Sequence, residues 1–359
     1  DVSCLALDSE GRYAVSGEMG KASVVCVWDT SDGVEQVRLS GFHRQGVVAV
    51  AFGHGGDRVV TVGKDDDHSV CVWDWRTNTR VAHEKGDKNL ILAVACSPFD
   101  GENDGMGTIV TVGVKHVRFW TIEGGALKGK KGSLGKLSEP QPVVCVDFIR
   151  STTADEAACP QGYTLTGFHD GSVGVWKAAA LFKVVKAAHR GPVQAIFSSR
   201  LPDSGVVATG GRDGKVKVWT ANTFGSTKDT IREMDVAEAC KGCAGVAALG
   251  KVSVKGLGAR LGADGLLQFA VGTSGSEVYE LSLDAIHTTR EATGVALASG
   301  HASGELWGAC SIPKEDQGFV TLGDDGTLRV WDGSKHAARV CALVKGREEG
   351  TGAGRAVSA

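Results

Sequence analysis

The sequence predicts an all-β protein, one seven-bladed β-propeller, on three observations. Apolar runs ending in an aromatic recur at spacings of roughly 40 to 60 residues, the period of propeller blades. Each is preceded by a run rich in Ala, Cys and Gly, and between the two lies a third run stopped by Gly. Four short strands per unit, arranged radially, leave only short and protected sheet edges.

The aromatic-ended runs are SVVCVWD (23 to 29), SVCVWDW (69 to 75), HVRFWTI (116 to 122), SVGVWKA (172 to 178), KVKVWTA (215 to 221), EVYELSL (277 to 283) and TLRVWDG (327 to 333). The runs that open the units are VSCLAL, VVAVAF, ILAVAC, VVCVDF, VQAIFS, GVAAL and LWGACS. Small residues suit an innermost strand, because blades crowd together near the central axis. Second strands follow from VVTVG, IVTVG, YTLTG, VVATGG, QFAVG and FVTLG, and less regular segments such as VEQVRLS and HAARVCALV supply the fourth. The units are expected at 1-42, 43-88, 89-139, 140-188, 189-242, 243-300 and 301-345. Insertions at 98-107, 150-161 and 250-264 lengthen surface loops, and 346-359, without apolar periodicity, reads as linker or tail. An innermost strand at the start and an outermost one near Leu343 lead to the expectation that the first and last blades close by packing, without strand exchange.

Composition narrows the function classes. A net charge of -3 gives no basic footprint for nucleic acid, and no run of eighteen apolar residues suggests a membrane span, so neither partner is expected. The 51 glycines are scattered through turns rather than every third residue. Of ten cysteines, Cys26, Cys71, Cys96, Cys145, Cys310 and Cys341 lie in apolar strand-like runs, where Cys acts as a small hydrophobe. A reducing, intracellular compartment is expected.

Polar residues recur at fixed offsets. His189 precedes Thr209 by 20 residues, as His301 precedes Thr321; Asp213 and Asp325 follow four residues later, and Trp219 and Trp331 six after that. Thr166, Asp170 and Trp176 repeat the pattern without a His, whereas His43, Thr61, Asp67 and Trp73 fit it with two extra residues in the turn. This pattern resembles the WD-repeat family. The resemblance implies that His, Thr, Asp and Trp form one hydrogen-bonded network per blade, a scaffold rather than an active site. Each net hydrogen bond is worth only ~1 kcal/mol, but linked buried bonds reinforce one another.

The wording is more specific than a generic repeat. HSVCVWDWRTNTRVAHEKGDKNLILAVACSPFD, then TIVTVGVKHVRFWTIEG, LKGKKGSLGK, TLTGFHDGSVGVW, AAHRGPVQAIF and GHASGELWGACSIP resemble, in order, the echinoderm microtubule-associated protein-like family. VGVKHVRFW without a turn Asp, VGTSGSEVYELSL without Trp, and ELWG opening the seventh unit are shared irregularities. The resemblance covers roughly residues 1 to 345 and corresponds to the first of two tandem propellers. It implies a longer full-length protein that continues into a second propeller and carries a hydrophobic motif and a basic coiled-coil region not found in this sequence.

Candidate chemistry is sparse. CKGC at 240 to 243 has no second Cys or His pair at zinc spacing. GLGARLG at 256 to 262 lacks the flanking strand and helix of a nucleotide loop and reads as an ordinary loop. Asp65, Asp66 and Asp67 do not follow calcium-loop spacing. No catalytic residue, cofactor or metal is expected. Lys128, Lys130, Lys131 and Lys136, placed between the third and fourth units, are the candidate contact with an acidic partner surface.

The resemblance implies a non-enzymatic scaffold whose partners are tubulin, microtubules and microtubule-associated proteins, located in the cytoplasm on the cytoskeleton, with a cilium or axoneme as one setting. The alternative is a generic WD-repeat adaptor, such as a ubiquitin-ligase substrate receptor or a trafficking scaffold.

Overall fold

A computed structural model describes residues 2–100, 105–150, 159–198, 206–220, 230–243, 245, 252–261, 266–283, 293–301, 306–312, 318–332 and 337–343. Seven four-stranded sheets form, each with its strands in chain order. The first blade comprises Val2–Leu7, Tyr13–Glu18, Val25–Asp29 and Glu35–Leu39, and the second Val47–Phe52, Arg58–Gly63, Val70–Asp74 and Thr79–Glu84. The third is Ile91–Cys96, Ile109–Gly113, His116–Glu123 and Ala126–Lys131; the fourth is Val143–Ile149, Tyr163–Phe168, Val173–Lys177 and Ala180–Val185. Val193–Ser198, Val206–Gly211, Lys215–Thr220 and Thr230–Asp235 make the fifth, and Val254–Leu261, Leu267–Thr273, Val278–Leu283 and Thr293–Ala298 the sixth. The seventh is Leu306–Ser311, Gly318–Gly323, Thr327–Asp332 and Ala337–Leu343. The protein is a seven-bladed β-propeller.

Chain contacts divide the protein into two compact units, Asp1–Val207 with Trp219–Asp229, and Ala208–Val218 with Thr230–Ala359. In the first unit the opening strands of blades one to five lie side by side in sequence order. Each gap between blades is filled by a core to which the later blade contributes its Trp. Trp73 packs with Val15 and Val27, Trp120 with Val60 and Val70, Trp176 with Val112 and Phe119, and Trp219 with Leu165 and Val175. A large, rigid aromatic at that point anchors one blade on its predecessor, since an aromatic buries some 150–250 Å².

In the second unit Phe269, Val271, Tyr279 and Leu281 are buried in the sixth blade, so Tyr279 supplies aromatic bulk where the sequence has no Trp. A single helical turn, Val236–Ala239, follows the fifth blade, capped by Asp235, whose carboxylate accepts from the Glu238 amide at 3.2 Å.

Two local expectations are corrected. GLGARLG is not a loop: residues 256 to 261 belong to the strand Val254–Leu261, which pairs along its length with Leu267–Thr273. Pairing to a neighbour that buries Phe269 and Val271 overrides the weak strand preference of Gly. The GVAAL run expected to open this blade lies, from 246 on, outside the described residues. The second correction concerns the lysines: Lys128, Lys130 and Lys131 sit in the outer strand Ala126–Lys131, not in a connection. The hairpin preceding it turns on Gly124 and Gly125, at φ of 60° and 79°, the left-handed pair a two-residue turn requires.

The last strand, Ala337–Leu343, pairs with Thr327–Asp332 of its own blade, so that blade is completed without an exchanged strand. Of the expected insertions at 98–107, 150–161 and 250–264, residues 101–104, 151–158, 250–251 and 262–264 lie outside the described residues, as does the whole tail 346–359, and the third insertion holds the strand Val254–Leu261.

Candidate binding site on the third and fourth blades

The recurrent polar network follows from strand register. In the first, second, third, fourth and seventh blades the Trp indole N–H donates to a hydroxyl on the second strand: Trp28 to Ser16 at 2.9 Å, Trp73 to Thr61 at 3.1 Å, Trp120 to Thr111 at 2.8 Å, Trp176 to Thr166 at 2.9 Å and Trp331 to Thr321 at 2.6 Å. The residue directly opposite each hydroxyl is Cys26, Cys71, Arg118, Gly174 or Arg329, and the Trp always stands two further along, on the same face. Turn length varies; register does not. The Ser16 and Thr111 pairs were missed from the sequence because their blades lack the flanking His and Asp at the expected offsets.

The seventh blade has the full network. His301 lies with Nε2 2.8 Å from the Thr321 hydroxyl and Nδ1 3.0 Å from Asp325, which also accepts from the Thr327 amide at 3.0 Å and hydroxyl at 2.7 Å. Arg329, wholly buried, places its guanidinium 3.7 Å from both Asp325 and Glu277.

In the second blade Asp67 does not hold the turn position. Asp65 does, accepting from the Ser69 hydroxyl at 2.5 Å and amide at 3.0 Å, and facing His43 Nδ1 at 3.8 Å. Asp67 instead pairs at the surface with Lys85 at 3.1 Å. The two extra residues fall after the Asp, so the four-residue offset from Thr61 to Asp65 is kept and counting back from Trp73 misleads. His43 Nε2 meets the Thr61 hydroxyl at 2.8 Å, and burial holds the imidazole down at about 4. A side chain at Gly63 would collide with both Asp65 and His43.

The fourth blade lacks the His, and Gln141 takes part instead: its Oε1 accepts from the Asp170 amide at 3.0 Å, while Asp170 accepts from the Ser172 hydroxyl at 2.5 Å. In the fifth blade His189, Thr209 and Trp219 are buried, and Asp213 accepts from the Lys215 amide at 3.3 Å.

The third blade exchanges the roles. Asp87 precedes the first strand, where the second, fifth and seventh blades have His, and His116 opens the third strand with Nδ1 3.6 Å from Asp87. The His116 side chain is 1 % exposed, its Nε2 has no hydrogen-bond partner, and burial lowers its affinity for a proton. Beside it opens a cavity of about 410 Å³ between the third and fourth blades. Lys88, Lys115 and Lys131 line it together with His116, and Phe168 and Trp176 contribute apolar wall. Of the four lysines singled out in the sequence, only Lys131 is there; Lys128 is paired with Glu123, and Lys130 and Lys136 do not line the cavity. Lys88 and Lys115 are distant in sequence from that run, and no local spacing signals their convergence.

The remaining motifs carry no chemistry of this kind. Cys240 is buried, its thiol pushed up to about 12 by burial, and Cys243 donates to the Gly294 carbonyl at 3.4 Å. Among the described residues no cluster of His, Cys, Asp or Glu is arranged to hold a metal, and no helix is long and apolar enough to cross a membrane. All ten cysteines are free thiols; Cys26, Cys71, Cys96 and Cys145 are buried as expected, but Cys310 is exposed.

Residues 1–280 match the family model described as the echinoderm microtubule-associated protein first beta-propeller. The chain belongs to the echinoderm microtubule-associated protein-like family. Residues 294–332 of this family member further match the WD domain, G-beta repeat. It is 29% identical over 355 residues to mouse echinoderm microtubule-associated protein-like 2, covering 94% of this chain and 47% of the relative. Human echinoderm microtubule-associated protein-like 1 is 27% identical over 350 residues, with 94% and 37% covered. The chain thus spans less than half the length of these relatives. Among solved structures, the Cps50 (Swd1) β-propeller domain of Myceliophteria thermophila superposes with a TM-score of 0.60 at 10% identity, covering 92% of this chain and 96% of that one, a likeness of fold.

Proposed function

We propose that this EMAP-like propeller is a non-enzymatic, microtubule-associated scaffold that binds tubulin or neighbouring microtubule proteins through its blade faces. The observation that carries the reading is the family match over residues 1–280. The polar residues that would attract a catalytic interpretation, His301, Thr321, Asp325 and Trp331 among them, are engaged with one another. A net charge of -3 favours local over bulk attraction to an acidic lattice, and the outer strand of the third blade with Lys128, Lys130 and Lys131, followed by Lys136, is the proposed contact. The cytoskeleton is the proposed location, with the axoneme as one setting.

Co-sedimentation with polymerised tubulin tests this. The chain is expected to pellet at low salt, and a variant with Lys128, Lys130, Lys131 and Lys136 changed to Glu to pellet less, the difference shrinking as salt shortens the Debye length to ~3 Å near 1 M. A full-length protein that stays in the supernatant and off microtubules in cells would transfer the reading to the adaptor class. Equal pelleting of the lysine variant would keep the scaffold and move its contact elsewhere.

A further inference from the structure

The cavity between the third and fourth blades joins two recognition features that the lysine strand alone does not have. Its lysines come from three separate stretches: Lys88 before the opening strand of the third blade, Lys115 in the turn before its third strand, and Lys131 at the end of its fourth. None of the three has an ion-pair or hydrogen-bond partner among the described residues, whereas Lys85 is paired with Asp67 and Lys128 with Glu123. Leu134, half-buried, and Pro140, exposed, supply the accessible apolar wall, while Phe168, Trp176 and the unpartnered His116 Nε2 are covered by the protein itself.

The walls are fixed rather than incidental. Beyond the lysine strand, the Ser133 amide donates to the Ala179 carbonyl at 2.8 Å and the Ser133 carbonyl accepts from the Leu181 amide at 2.9 Å, which ties the third blade to the outer strand of the fourth. The connection on the other side is held by the His169 amide donating to the Pro142 carbonyl at 3.0 Å and by the Asp170 amide donating to Gln141. A volume of about 410 Å³ lies within the range that holds a small ligand or a few side chains.

We propose that this cavity binds a glutamate-bearing peptide segment of a partner protein, with one apolar side chain against Leu134 and Pro140 and flanking carboxylates at Lys88, Lys115 and Lys131. Carboxylates fit better than a compact phosphate. Among the described residues the cavity is lined by no Arg, whose planar fork would favour bidentate phosphate recognition, and a free anion would leave the apolar wall of Leu134 and Pro140 unused. The inference stands on the cavity and does not depend on the microtubule reading, so each can fail alone.

The test is fluorescence anisotropy of the chain with a fluorescein-labelled peptide in which glutamates flank one central leucine. Two triple variants remove the same charge from different places: Lys88→Gln, Lys115→Gln, Lys131→Gln at the cavity, and Lys128→Gln, Lys130→Gln, Lys136→Gln on the adjacent strand and turn. The cavity variant is expected to weaken binding roughly tenfold or more and the other less than about threefold, with unchanged melting temperatures, since all six side chains are at the surface. A peptide without the leucine should bind more weakly. Equal losses in the two variants would assign binding to diffuse charge and overturn the proposal. So would the absence of saturable binding, indifference to the leucine, or displacement of the peptide by inorganic phosphate at equal concentration.

Discussion

The seventh and third blades solve one problem with the same residue types in opposite order. In the seventh, His301 comes before the first strand and Asp325 in the turn, and every polar atom of the pair is engaged: His301 with Thr321 and Asp325, and Asp325 with Thr327. In the third, Asp87 comes first and His116 later; they approach only to 3.6 Å, and Nε2 is left without a partner. Both blades keep the Trp-to-Thr bond, at 2.6 and 2.8 Å, because register alone sets it. The difference teaches that the Trp-to-Thr bond persists where the His and Asp arrangement changes. It also shows where the fold relaxes: the blade with the looser network is the one beside the cavity.

Removing the acidic partner in each blade gives the largest contrast. Asp325→Ala is expected to destabilise by about 3 kcal/mol, because it removes the carboxylate partner of His301 and leaves the buried Arg329 guanidinium with Glu277 alone. Asp87→Ala, which loses bonds to the Asn89 amide and side chain, is expected to cost about 1 kcal/mol. Thermal melts compare them, and equal costs would mean that the tighter network adds nothing.

Acid should act through the buried histidine of the second blade. His43 is held at about 4, below the ordinary 6.5, by desolvation, so between these values the unfolded chain takes up a proton that the folded one refuses. The stabilising contribution is complete above pH 6.5 and is lost as the pH falls toward 4. By roughly pH 5 the loss is about 2 kcal/mol, at about 1.36 kcal/mol per unit. Melting from about pH 7 down to about pH 5 should lower Tm less in His43→Asn than in the unaltered chain. Identical pH profiles would remove His43 from this account.

The smallest expected effect separates the two aspartates of the same turn. Asp65→Ala, losing the Ser69 amide and hydroxyl, should cost about 1.5 kcal/mol. Asp67→Ala, losing one exposed pair with Lys85, should stay within about 0.5 kcal/mol. The reverse order would restore Asp67 to the network.

Much of the fold was legible because each blade repeats a local instruction: small residues, a Gly-stopped run, an aromatic two places beyond the hydroxyl's partner. Alternation and turn chemistry are properties of neighbouring residues, so the sequence by itself determined most of the strands, the seven sheets and the Trp-to-Thr pairs of the second, fourth and seventh blades. The errors were local too. Asp67 was chosen by counting through an insertion, and Val254–Leu261 was passed over because glycines hide a strand whose partner supplies the burial. Tertiary structure alone decided what stands beside what. Lys88, Lys115 and Lys131 share no periodicity, and they line one cavity only because antiparallel strands return the chain to the same end of the blade after each turn. Spatial convergence of that kind depends on register and on the packing of one sheet against the next, which no window of the sequence contains.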